Sequence, residues 1–224
     1  MIKLKTSIPG KKSERILNEL KKKNGVWNIP YPLVLSGKGK GCYCEDIDGN
    51  VFLDFASQVA TNPLGYNNPE LLKVVKKYSK RQPIKYAGDD FVVEEKLKLL
   101  NSLLSISPKE LSAAFLVNSG AEAVENAIKI CMRSRENKKF SISMQNAFHG
   151  RTLGALSLHH SKEIHRKGYM LLPNKSLPFN DSAGEELKNI IKKEGAESIA
   201  FIITEVLHGA GGYKIASRKM ITEL

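Results

Sequence analysis

Residues 113–131 read Ala-Ala-Phe-Leu-Val, Asn-Ser-Gly, then an amphipathic run from Ala121 to Cys131. A strand, a tight polar turn and a helix in that order outline a phosphate cradle. The start of a helix carries backbone N–H groups without intrahelical acceptors and the positive end of the macrodipole, so an anion binds readily there. Ser119 can add a hydroxyl, and Gly120 admits a ligand close to the backbone. The same tripeptide also serves as a plain turn in many such units. On this segment alone both readings stand.

Two further stretches carry usable chemistry. In Phe148-His149-Gly150-Arg151-Thr152, Phe148 suits either stacking on a planar ring or a place in the core. His149 can donate to a ligand or serve structure, and Arg151 offers a planar fork for carboxylate or phosphate. Glu205 follows the apolar run 199–203 and precedes His208-Gly209-Ala210-Gly211-Gly212. A carboxylate at the end of a buried strand is costly unless paired, so Glu205 is either functional or bonded to a neighbouring donor.

Other motifs are weaker. Cys42 and Cys44 form a C-x-C pair whose alternation places both on one strand face, but no second ligand pair accompanies them, and metal is not expected. Cys131 reads as helix core. The run Gly37-Lys38-Gly39-Lys40-Gly41 lacks phosphate-loop spacing and is expected to be a basic turn.

These residues need elements to position them. Ser13 is expected to cap a helix ending near Lys23, before Gly25. Strands at 41–47 and 51–55 are joined through Asp48-Gly49, a hairpin signal. Pro69 opens a helix to about Lys80, and Asp89 or Asp90 opens another to about Leu104. Then strands at 113–117, 140–144 and 199–203 alternate with helices at 121–135 and 182–194, where Ser182 and Glu185 have capping-box spacing. Alternation of this kind predicts an α/β fold with a mainly parallel sheet and right-handed crossovers. Ligands of such sheets sit beyond the carboxyl ends of the strands, where 118–121, 145–152 and 204–212 all fall.

The bulk properties narrow the function. A chain of 224 residues with 42% hydrophobic and 26% charged content reads as an ordinary soluble globular protein. No apolar run is long enough to span a bilayer, and the basic start lacks a signal peptide's apolar stretch, so the expected location is cytoplasmic, without membrane association. The net charge of +12 comes from lysines on helix faces without aromatic interleaving, which argues for a solvated surface and against nucleic acid. Three scattered cysteines exclude a disulfide framework.

Asn118-Ser119-Gly120-Ala121-Glu122-Ala123, followed at a matching interval by Phe148-His149-Gly150-Arg151-Thr152, resembles the class III pyridoxal-phosphate aminotransferases. Asp46-Ile47-Asp48-Gly49-Asn50 is similar to that family's N-terminal hairpin, and Gly65-Tyr66-Asn67-Asn68-Pro69 to its glycine–aromatic–proline turn. Ser57-Gln58 with Gly65-Tyr66, together with the stretch from His160 to His165, most resembles 4-aminobutyrate aminotransferase. Ornithine, acetylornithine and lysine ω-aminotransferases share the main motifs, as do some amino-acid racemases.

The resemblance implies an incomplete PLP-dependent transferase fold of type I, with 1–64 belonging to the small domain and 65–224 to part of a three-layer, cofactor-binding large domain. It implies pyridoxal 5'-phosphate as cofactor, with Ser119, Gly120 and Ala121 on its phosphate, Phe148 stacked on its ring, and His149 and Glu205 beside it. It implies Arg151 and Val59 at the substrate, amino and 2-oxo acids such as 2-oxoglutarate as substrates, and a homodimer for a complete member.

The resemblance also has gaps. The family's Schiff-base lysine and the aspartate that pairs with the pyridinium nitrogen follow the glutamate-bearing loop, and no residue up to Leu224 matches either, so no catalytic residue is expected within the chain. Val206, His208 and Ala210 replace a more usual proline, glutamine and glutamate. Three readings follow. The chain is a truncated aminotransferase inactive alone, half of a split enzyme working with a separate C-terminal chain, or a non-catalytic cofactor-binding module. In each, a sheet lacking its later strands leaves an exposed edge prone to aggregation.

Overall fold

The computed structural model describes residues 1–25, 30–80, 88, 90–134, 136 and 138–224. Its contacts form two compact units, Met1–Leu97 and Lys98–Leu224.

In the first unit, helix α1 (Lys11–Lys23) precedes an antiparallel sheet of order β1-β2-β3, with β1 Leu35–Lys40, β2 Tyr43–Asp46 and β3 Val51–Leu53. The expected hairpin is present: Tyr43 pairs with Leu53 and Cys44 with Phe52. Two expectations about this sheet need correction. The glycine–lysine run belongs largely to β1 rather than to a turn, because a register shift between Leu35 and Gly39 lets the strand continue. Gly39 fits there because a side chain would meet the Tyr43 carbonyl at 2.5 Å. The two cysteines do not share a face, since Cys42 is exposed in the turn before β2 and Cys44 is buried.

Helix α1 starts at Lys11 with Gly10, not Ser13, as its N-cap residue. The amides of Lys12 and Ser13 donate instead to Asp48 Oδ1 and Oδ2, both at 2.9 Å. A carboxylate on the hairpin turn thus does what the local sequence assigned to Ser13. The one-turn segment α2 (Ser57–Ala60) is left-handed, with φ of 47°, 51°, 59° and 60° along it. L-residues resist this conformation by about 1–2 kcal/mol each. Asp54 Oδ1 accepts from the amides of Ala56 and Ser57, and the Ser57 hydroxyl donates to the Asn62 carbonyl, which bounds the turn at both ends. Helix α3 (Pro69–Ser79) starts as its proline predicts, capped by Asn68. Helix α4 (Glu94–Ser105) starts later than expected; Asp89 lies outside the described residues.

The second unit is built on a parallel sheet of order β5-β4-β6, with β4 Phe140–Met144, β5 Asn174–Leu177 and β6 Ile199–Ile202. The central strand β4 is buried throughout, as a strand covered on both faces must be. Helix α5 (Gly120–Arg133) precedes β4, and the short α6 (Leu153–Ser157) follows it. Helices α7 (Ala183–Glu194) and α8 (Arg218–Glu223) contribute Leu187 and Met220 to a core with Ile142, Met144, Leu177 and Ile199. A two-stranded hairpin, β7 (Leu207–His208) and β8 (Lys214–Ile215), precedes α8.

Three expectations fail here. Segment 113–117 forms no strand, and Phe115 is 67% exposed. Its residues suit a strand, but a strand also needs a neighbour, and among the described residues none pairs with it. The Ser182 capping box does not form, because the Ser182 amide and hydroxyl both donate to Asn180 Oδ1. Cys131 is half-buried rather than fully in the core, and residue 135, the expected end of that helix, lies outside the described residues.

Candidate cofactor site

Helix α5 begins where the sequence places it. Ser119 is its N-cap residue: the hydroxyl accepts from the Glu122 amide at 3.1 Å, and the carbonyl accepts from the Ala123 amide. The Glu122 carboxylate reaches back one residue past the cap and accepts from the Asn118 amide at 2.7 Å. The first-turn amides of Gly120 and Ala121 have no acceptor among the described residues, and the space a Gly120 side chain would fill is open.

The second loop is pressed against this helix start. A side chain at Gly150, whose φ is +129°, would meet Ala121 Cβ at 2.8 Å and Ala155 Cβ at 2.9 Å. Farther along α5, Glu125 Oε1 accepts from the amides of Gly154 and Ala155 at 2.8 and 3.2 Å, closing the start of α6. Gly154 leaves room for that carboxylate, since a Cβ there would lie 2.2 Å from Glu125 Oε2. No local spacing points to Glu125, because its partners are about thirty positions away.

The third loop is tied to the second by Glu205. Its Oε2 accepts from the Phe148 amide at 3.1 Å and its Oε1 from the Gly209 amide at 3.3 Å. His208 Nε2 lies 3.3 Å from Oε2 without hydrogen-bond alignment. The His208 ring is buried, stacked on Phe179 with centroids 3.9 Å apart, and Gly211 abuts it. The open alternative for Glu205 therefore resolves at the level of structure: it is bonded to neighbouring donors, and those donors belong to the candidate site.

The structure thus gathers Ser119, Gly120, Ala121, Phe148, His149 and Glu205 around three adjoining loops of one unit. Phe148 presents a half-exposed ring, and Arg151 is exposed on the same loop. His149 is buried, and its Nε2 has no hydrogen-bond partner. Burial pushes its pKa down, with the nearby Glu205 charge opposing, so the ring is neutral near pH 7. Val59 lies in the other unit, 82% exposed on the left-handed turn. Among the described residues no group of three or more His, Cys, Asp or Glu side chains could hold a metal ion, and no helix is long and apolar enough to cross a membrane.

Residues 25–224 match the family model described as aminotransferase class-III. The acetylornithine aminotransferase of Clostridium acetobutylicum is 33% identical over 190 residues, covering 82% of this chain and 46% of that protein. The acetylornithine aminotransferase of Methanocaldococcus jannaschii is 35% identical over 84% of this chain and 46% of its own length. Among solved structures, the PMP-bound aminotransferase of Vibrio fluvialis is similar with a TM-score of 0.80 and 21% identity, over 90% of this chain and 51% of that one. The chain spans about half the length of the curated relatives it matches. Its parallel α/β unit is accordingly part of a type I transferase fold, and the chain belongs to the class III aminotransferase family.

Proposed function

We propose that this chain provides the phosphate cradle and ring platform for pyridoxal 5'-phosphate in an aminotransferase acting on ω-amino acids. The observation that supports this most is the clamping of three loops at one place: Gly150 against Ala121, and Glu205 between Phe148 and Gly209. The residues fit the group. The free amides of Gly120 and Ala121 beside an open space suit its phosphate. The half-exposed Phe148 suits its ring, and the unpartnered, buried Nε2 of neutral His149 has capacity for one more hydrogen bond. When bound, the cofactor supplies an electron sink for cleaving bonds at the carbon that bears the amino group.

The chain's own residues orient and bind. Ser119 organises the helix start, Phe148 limits the ring to one plane, and Glu205 fixes the Phe148 backbone. Exposed Arg151 can pair in bidentate fashion with a substrate carboxylate. Val59 is assigned to the substrate side from the small-domain portion, 1–64, and 65–224 to the large-domain portion. The names of relatives at 33% and 35% identity favour acetylornithine as amino donor, and the family resemblance adds 2-oxoglutarate as the proposed acceptor. The resemblance of His160–His165 keeps 4-aminobutyrate as a second candidate. The covalent lysine is assigned to sequence outside Met1–Leu224, in a longer homodimeric protein or on a separate C-terminal chain.

The test is to titrate the chain with pyridoxal phosphate, treat it with borohydride, and assay N-acetylornithine with 2-oxoglutarate, with and without the C-terminal half of a full-length relative. The expected result is reversible cofactor binding without a trapped adduct, and turnover only with the complementing half. A stoichiometric lysine adduct within residues 1–224 would overturn the assignment of the lysine elsewhere. Failure to bind the cofactor in either state would overturn the cradle.

A further inference from the structure

Immediately after α6 lies His159, a fully buried imidazole that the sequence did not single out. Its ring meets Phe148 edge to face, with centroids 5.0 Å apart and planes at 69°. On its other side is His165, with centroids 5.0 Å apart and planes at 58°. His159 Nε2 lies 2.8 Å from Ser161 Oγ and 3.0 Å from His165 Nδ1, whereas Nδ1 is buried without a partner. Two polar contacts on one ring nitrogen fix the rotation of the imidazole about its Cβ–Cγ bond. That fixed ring is what Phe148 rests on.

Phe148 needs such support. Its amide is held by Glu205, but the residue is 40% exposed on a loop, where the ring could otherwise turn about its side-chain torsions. A platform that is still free must be ordered when a planar ligand arrives, and that ordering costs affinity. We propose that His159 is a positioning residue that holds the Phe148 ring in the plane required for stacking on the cofactor, with Ser161 and His165 fixing His159 in turn. The inference rests on the cofactor reading above. Burial foremost, with the Arg151 and Arg166 guanidinium charges also nearby, keeps the imidazole neutral at pH 7. A neutral ring adds no charge beside Arg151, whose guanidinium remains available to an anionic substrate.

The experiment is a double-mutant cycle on the full chain, read by equilibrium dialysis against pyridoxal phosphate. His159→Leu keeps an apolar side chain in the buried site and removes the imidazole, and it should weaken binding about fivefold, the scale of one aromatic pair. Phe148→Ala should weaken it more, and adding His159→Leu to Phe148→Ala should cause no further loss. A residue that only maintains the core would give the same loss in both backgrounds, and that result would overturn the proposal, as would wild-type affinity in His159→Leu. If His159→Leu fails to fold, Ser161→Ala and His165→Ala replace it, each expected to weaken binding about twofold only when Phe148 is present. If the wild-type chain binds no cofactor, the cofactor reading fails and the positioning role is judged separately. NMR of labelled phenylalanine should then show the Phe148 ring signals shifted and averaged by His159→Leu, and unmoved signals would contradict the role.

Discussion

Helices α1 and α6 begin with their free amides closed by a carboxylate from elsewhere in the same unit, whereas α5 begins open. Asp48 takes the amides of Lys12 and Ser13, and Glu125 takes those of Gly154 and Ala155. At α5 the internal groups serve only Asn118, Glu122 and Ala123, and the amides of Gly120 and Ala121 stay available. The physics of all three starts is the same: aligned N–H groups favour a negative charge. What differs is the source of that charge. The first two anions are part of the fold, while the open amides at the third are where the phosphate proposed above would sit.

The contrast can be broken most severely at Gly150. Gly150→Val puts a branched side chain into the contact with Ala121 at a φ of +129°, and should destabilise the second unit by about 3 kcal/mol while abolishing cofactor binding. Thermal unfolding and dialysis check both. Next in size, Glu125→Ala leaves the α6 amides without their acceptor and should cost about 2 kcal/mol. Added inorganic phosphate should not restore that stability if the α6 start is a closed structural site; full restoration would erase the distinction drawn between α6 and α5.

Acid should act on the second unit in a predictable direction. His149, His159, His160 and His208 all have pKa values lowered by burial, His159 from 6.5 to about 4. Between those pH values the unfolded chain takes up protons that the folded unit refuses. This contribution to stability is therefore complete above pH 6.5 and is lost as pH falls toward 4. The slope of the melting temperature against pH should be positive over that range and shallower in His159→Leu; an unchanged slope would contradict the assignment to His159.

The smallest expected effect is in the first unit. Val59→Gly relieves one left-handed L-residue and should stabilise that unit by about 1 kcal/mol. Destabilisation would mean that the Val59 side chain makes contacts worth more than the strain.

Features encoded by neighbours in sequence were legible before the structure. The start of the helix near residue 120, the Asp48-Gly49 hairpin and the parallel strands at 140–144 and 199–203 all follow from local spacing. Features joined over distance were not. Asp48 reaches α1 across 35 positions, and Glu205 reaches the Phe148 amide across 57. His159 sits close to the second loop in sequence, but its contact with Phe148 depends on how α6 turns the chain back. Segment 113–117 shows the opposite error, in which strand-forming residues have no strand beside them.

The central claim is that the α5 start is left open for an external anion. Gly120→Asp tests it most directly, because it supplies an internal carboxylate and makes α5 resemble α1 and α6. Thermal unfolding and the phosphorus NMR signal of added pyridoxal phosphate are measured on the same sample. The account predicts opposite signs: stability unchanged or raised by up to about 1 kcal/mol, and the bound phosphate signal lost. A variant that keeps the bound phosphate signal would contradict the claim, because the anion would then be held somewhere else.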